Sequence, residues 1–136
     1  MKLSTVFSGL FIGILAAGFS ISAIAQDTAS GEVAGKCGNP PQQPNIPNGM
    51  QANMDDMLAA QKKIKTYQES SQTYRACIDE LMSMWDSQVK DGDKDAKKAA
   101  NDKKDIAIAF YNKSVSDEEE VANLFNAAVR AYKGKK

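Results

Sequence analysis

The chain has 136 residues, 43% of them hydrophobic and 25% charged, which fits one domain of ordinary globular or helical composition. Lysine plus arginine balances aspartate plus glutamate at 17 each, so no net basic excess points to nucleic acid or anionic lipid. There is no histidine, which removes the commonest general base and the commonest metal ligand.

Residues 1–25 read as a secretory signal peptide. Met1-Lys2 gives a short positive start, an apolar run follows from Val6 to Ile24, and Ala23-Ile24-Ala25 is a small-x-small cleavage site. The alternative is an uncleaved N-terminal segment that anchors the chain in the membrane. A lipoprotein fits poorly, because Cys37 stands far from the apolar run and follows Lys36. Cleavage after Ala25 removes Lys2 and leaves a nearly neutral mature chain with no membrane span. In an oxidising compartment two cysteines usually pair, so Cys37 and Cys77 are the expected disulfide.

Residues 26–49 read as a flexible segment and a proline-rich arm. Gln26 to Lys36 is small and polar, and is expected to be disordered. Pro40, Pro41, Pro44 and Pro47 then favour an extended polyproline II path, and Asn48-Gly49 marks a turn.

Residues 50–136 read as the helical domain. Met57, Ile64, Ser71, Ile78 and Trp85 recur every seven residues, and Ala60, Tyr67, Tyr74, Leu81 and Gln88 lie three residues after each. That is the a/d seam of a packed helix, running from about Met50 to Lys90. Asp91-Gly92-Asp93 is expected to end it, with Gly92 as a left-handed cap and Asp93 capping the next helix. From Asp93 to Lys104 the sequence forms helix well but offers little to bury beyond Ala96, Ala99 and Ala100. Ile106, Ile108, Phe110 and Tyr111 strengthen the pattern. Val121, Leu124, Phe125, Ala128, Val129 and Tyr132 form the clearest amphipathic stripe. Ser116-Asp117-Glu118-Glu119 has the form of a capping box, so the return arm is expected to be two helices broken near Ser114–Ser116, with one kinked helix as the alternative. The last five residues, Tyr132 to Lys136, make a small basic tail.

The fold class is therefore all-α: a long antiparallel helical hairpin, coiled-coil-like, or a three-helix bundle made by folding the second arm, with an extended Pro-rich N-terminal arm. If the arm turns at Asn48-Gly49 and runs back along the first helix, it can span roughly 46 Å as polyproline II. Cys77 lies only roughly 37 Å along the helix. The arm can therefore bring Cys37 to Cys77. Closing a loop of that size is worth about 4 kcal/mol in the chain-entropy account.

Asp91, Asp93, Asp95 and Asp102 partly match a calcium loop, but Ala96 stands where glycine is required and Asp102 where a bidentate glutamate is preferred. Met50, Met54, Met57, Met82 and Met84 suit a copper cluster less well than core filling. No residue set supports a catalytic nucleophile. No catalytic, metal or cofactor-binding residue is assigned, no cofactor is expected, and an enzyme or metal binder is a distant alternative.

Cys37-x-x-Pro-Pro-x-x-Pro-x-x-Pro-x-Gly49, Tyr74-x-x-Cys77, Tyr111-Asn112-x-x-Val115, Glu118–Glu120 and Phe125-Asn126-x-Ala128 together resemble a group of small exported proteobacterial proteins of no assigned activity. The resemblance implies a bacterial envelope protein and carries no catalytic residues. The expectation is an exported periplasmic protein that binds or scaffolds an unknown protein partner in the cell envelope, as a monomer or weak homodimer. The alternative is a periplasmic client-binding chaperone.

Overall fold

A computed structural model describes the backbone of residues 22–135 and the side chains of residues 28–135. The signal-peptide reading falls almost wholly on residues 1–21, and Lys136 ends the basic tail; both lie outside the described residues. The described chain is all-α, with helices α1 (Ser22–Cys37), α2 (Met54–Gln88) and α3 (Lys94–Gly134). None of them is long and apolar enough to cross a membrane.

Helix α2 follows its heptad pattern closely. Met57, Ala60, Ile64, Tyr67, Ser71, Tyr74, Ile78, Leu81 and Trp85 are all buried, and only Gln88, at the last position, is exposed. The helix starts at Met54 rather than Met50 because Asn53 caps it. The Asn53 side chain accepts from the Asp56 N–H at 2.9 Å, and Asp56 accepts from the Asn53 N–H at 2.9 Å. This reciprocal box satisfies two otherwise unpaired donors. At the far end the expected left-handed glycine is absent. The helix closes through Val89 (φ −114°), whose carbonyl accepts from the Gly92 N–H at 3.0 Å. Asp93 caps α3, as expected, by accepting from the Ala96 N–H.

Helix α3 corrects the expected break near Ser114–Ser116, since it is continuous from Lys94 to Gly134. The acids of the Ser116–Glu119 motif have other partners. Asp117 pairs with Lys113 one turn earlier at 2.8 Å, and Glu118 reaches across to Arg75 on α2 at 2.8 Å. With no proline and good helix formers on both sides, nothing stops propagation there.

The buried seam of α3 also differs from the apolar stripe. It is Ala100, Ala107, Ser114, Val121 and Ala128, one residue every seven, and mostly small. Ile108 and Leu124 are left exposed. Bulky residues of α2 meet these small ones: Tyr74, Ile78, Leu81 and Trp85 share a cluster with Ala100 and Ala107, Ile64 and Tyr67 pack with Val121, and Met57 packs with Ala128. Large against small lets the helix surfaces interlock without voids.

The third helix comes from the N-terminal side, not from a folded second arm. Residues 26–36, expected to be disordered, are part of α1. Ala29 and Val33 lie one turn apart and are fully buried, and Val33 enters the cluster of Tyr74, Ile78, Leu81 and Trp85. Cys37 continues the same stripe and packs against that cluster. Gly38, at φ +75°, leaves the helix in the left-handed conformation, with its N–H bonded to Ala34 O at 3.0 Å. The chain then continues as the extended arm toward the start of α2. Helix α1 and the arm together form a third rod, antiparallel to α2, that is helical for half its course and extended for the rest.

The arm docks through Ile46, which packs against the Ile64–Tyr67–Val121 cluster and the Met57–Ala128 cluster. Its end turns tightly: Asn48 O accepts from the Gln51 and Ala52 N–H groups, and Asn48 Oδ1 accepts from the Met50 N–H. Gly49 is buried at this turn because its Cα touches α3. A Cβ there would stand 1.9 Å from the Ala128 carbonyl oxygen.

Candidate interaction surface

The two cysteines expected to pair are brought together. Their sulfurs are 2.01 Å apart and their Cα atoms 5.6 Å apart, joining the end of α1 to the middle of α2. The bond closes a loop of 40 residues that contains the whole arm. Its neighbours contain no histidine or free thiol, and among the described residues no cysteine is unpaired. The arrangement is a staple.

Two polar clusters flank it. On the α1 side, the Trp85 indole N–H donates to Glu32 Oε2 at 2.9 Å, Lys103 Nζ donates to Glu32 Oε1 at 2.6 Å, and the Lys103 ammonium sits 5.6 Å from the Trp85 ring centre. On the opposite side, Arg75 donates to Ser114 Oγ at 3.2 Å, pairs with Glu118 and lies 6.0 Å from the Tyr111 ring. Each cluster ties α2 to a neighbour, and every charge in it is compensated. Glu32 has no counterpart in the sequence expectations, because a segment with few apolar residues gave no reason to place it against Trp85.

Inside the hairpin, Ser71 Oγ and Tyr74 OH are buried without a hydrogen bond. Burial pushes the Tyr74 phenol above its usual 10.0. Burial also raises the Tyr67 phenol, with smaller contributions from Asp117 and Glu118. The Ser71 hydroxyl is near enough to Tyr67 to oppose that shift, although not in hydrogen-bond geometry.

The other sequence candidates are dispersed. Asp93 is spent on the α3 cap and Asp102 on Lys98 at 2.6 Å. Among the described residues no group of three or more His, Cys, Asp or Glu could hold a metal ion. Met57 is in the core, Met50 and Met54 are exposed near it, and Met82 and Met84 lie about 40 Å away along α2.

What remains is surface. On α3 a shallow groove separates the arm from Leu124, Ala127 and Ala131, while a second groove opens on the other side of the seam, along Ala122, Phe125 and Asn126. Its α2 wall is Leu58, Gln61, Lys62, Lys65 and Gln68, and its volume is about 680 Å³. At the same end of the rod Met50, Met54 and Leu58 are 59, 58 and 55% exposed, the most exposed large apolar side chains described. Sequence reading missed this feature because Met54 and Leu58 resemble ordinary amphipathic filler until the seam is known to run through Met57 and Ala60.

No family model, no curated protein and no solved structure matches the chain.

Proposed function

We propose that the chain is an exported, periplasmic protein of the kind its motifs resemble, acting by binding or scaffolding and not by catalysis, as a monomer or weak homodimer. The observation that carries this reading is the contrast between a closed interior and an open end. The α2 seam is covered by α3, α1 and the arm, yet Met50, Met54 and Leu58 stay exposed, and Leu58 borders an open groove. Exposed apolar patches rimmed by polar residues mark interaction sites. The disulfide supports export, because such bonds persist in oxidising compartments. A client-binding chaperone is the second reading, favoured by the groove but weakened by the self-covered seam.

A photo-crosslinking residue at Leu58, irradiated in intact cells, tests the choice. One or two discrete adducts, absent when the probe is at Ser83 near the other end, are expected for a scaffold. A broad ladder of adducts would favour the chaperone, and no adduct at Leu58 would remove a protein partner from this end.

A further inference from the structure

The balanced net charge conceals a segregation. In residues 50–66 and 121–135, which make the open end of the rod, Lys62, Lys63, Lys65, Arg130, Lys133 and Lys135 face only Asp55 and Asp56. The middle of the hairpin is acidic, with Glu69, Asp117, Glu118, Glu119 and Glu120 against Arg75 and Lys113. Of the two acids at the open end, Asp56 is engaged in the Asn53 capping box. Lys135 is engaged with the Ala52 carbonyl and the Tyr132 ring.

Of the five remaining cations, four lie around the apolar patch, Lys63 being the exception. Lys62 and Lys65 share the groove wall with Leu58. Arg130 and Lys133 follow Asn126 at helical spacing, so they extend the opposite wall. Asp55 and Glu69 each stand two turns from Lys62, and Glu69 one turn from Lys65, but neither carboxylate is within ion-pair distance of these lysines. The result is an exposed Met54 and Leu58 on one face of α2, with exposed Met50 just before the helix, next to four cations that make no ion pair among the described residues.

We propose that this end docks on an anionic lipid surface, with Met50, Met54 and Leu58 entering the acyl boundary and Lys62, Lys65, Arg130 and Lys133 meeting lipid phosphates. The charge pattern selects against a second copy of the chain, because a two-fold contact through the patch would set cations against cations. More than half of each of these apolar side chains is exposed at the end of the rod, with cations alongside, which suits insertion into a fluid anionic boundary. Methionine, unbranched and flexible, adapts to such a boundary. The attraction combines buried apolar area with charge, and so depends on both. The inference rests on the reading of this end as a binding surface but names a different occupant from a protein partner.

The test is flotation of the purified, oxidised protein with phosphatidylglycerol-containing vesicles and with pure phosphatidylcholine vesicles. Binding is expected to the first, falling with salt, and weakened by roughly tenfold or more in Lys62→Glu/Lys65→Glu and in Met54→Ser/Leu58→Ser. Lys94→Glu/Lys97→Glu, which reverses the same charge at the other end, is expected to bind like the wild type. Circular dichroism checks that each variant is folded, as expected for exposed positions. Equal binding to both vesicle types, no binding to either, or equal loss in the Lys94/Lys97 variant would overturn the proposal. So would light scattering that shows dimers abolished by Met54→Ser/Leu58→Ser. A discrete protein adduct at Leu58 without vesicle binding would remove the lipid and leave the scaffold reading intact.

Discussion

The indole N–H of Trp85 donates to Glu32 across 2.9 Å, and this bond joins a helix made of small polar residues to the core of the hairpin. Trp85 is almost completely buried, so its N–H has no water to turn to. Glu32→Ala is expected to destabilise the fold by about 1–3 kcal/mol, the cost of leaving a buried donor unpaired. Trp85 is the chain's one tryptophan, so its emission reports the site directly. A melting temperature unchanged from wild type would show that α1 is not held through this contact.

The staple gives a second expectation. Cys37 and Cys77 are expected to be oxidised to each other in the protein isolated from cells, and reduction is expected to remove about 4 kcal/mol. Alkylation of freshly isolated protein without reductant, followed by mass measurement, checks the bond. Thermal melts with and without reductant check its contribution, and Cys37→Ser is expected to match the reduced protein. Amide exchange should rise first in α1 and the arm, whose ends the bond fixes.

Glycines give opposite expectations at two positions. Gly49→Ala places a methyl where Ala128 O already lies, and the obstacle is backbone that cannot swing away. A loss of about 1–3 kcal/mol is expected, of the size seen for overpacking, with detachment of the arm. Gly31 lies within α1 with nothing near its absent Cβ. Gly31→Ala is expected to gain about 0.5–1 kcal/mol. Denaturant melts of the two variants settle both signs.

The buried phenols make stability depend on alkali. Tyr67 and Tyr74 ionise in the unfolded chain near 10.0 and at higher pH in the folded one. Below 10 both states hold the proton and stability is unaffected. Above it the unfolded state releases its protons first, binds fewer than the native state, and becomes favoured as pH rises. Urea midpoints are expected to fall above pH 10 and to fall less in Tyr74→Phe. Near neutrality Tyr74→Phe is expected to be neutral or slightly stabilising, because it removes a buried hydroxyl with no partner.

Much of α2 and the cysteine pair was legible in the sequence, and the reasons for the misses are physical. Seven-residue spacing of large apolar side chains identified nearly every buried position of α2. The same spacing exists in α3, and the sequence pattern named Ala100, Val121 and Ala128 of it, but Ala107 and Ser114 are small residues that no hydrophobicity count distinguishes from surface. Ile108 and Leu124 drew attention instead and are exposed. Ser116 to Glu119 fits a helix start, but a capping motif acts only where the helix is interrupted. Helix α1 was illegible because its stability is tertiary: Val33 and Ala29 suffice only when a groove is already there to receive them. The open end was invisible until its cations and exposed methionines could be placed on one rod.

The third rod also bears on the order of assembly. A chain is made from its N-terminus, so α1 and the arm are synthesised before α2 and α3. Yet Val33 rests on Ala100 and Ala107 as well as on α2, and Ile46 rests on Val121 as well as on Ile64 and Tyr67. Neither surface is complete until α3 has returned along α2. The full burial of the earlier segment therefore depends on the helix that is synthesised last.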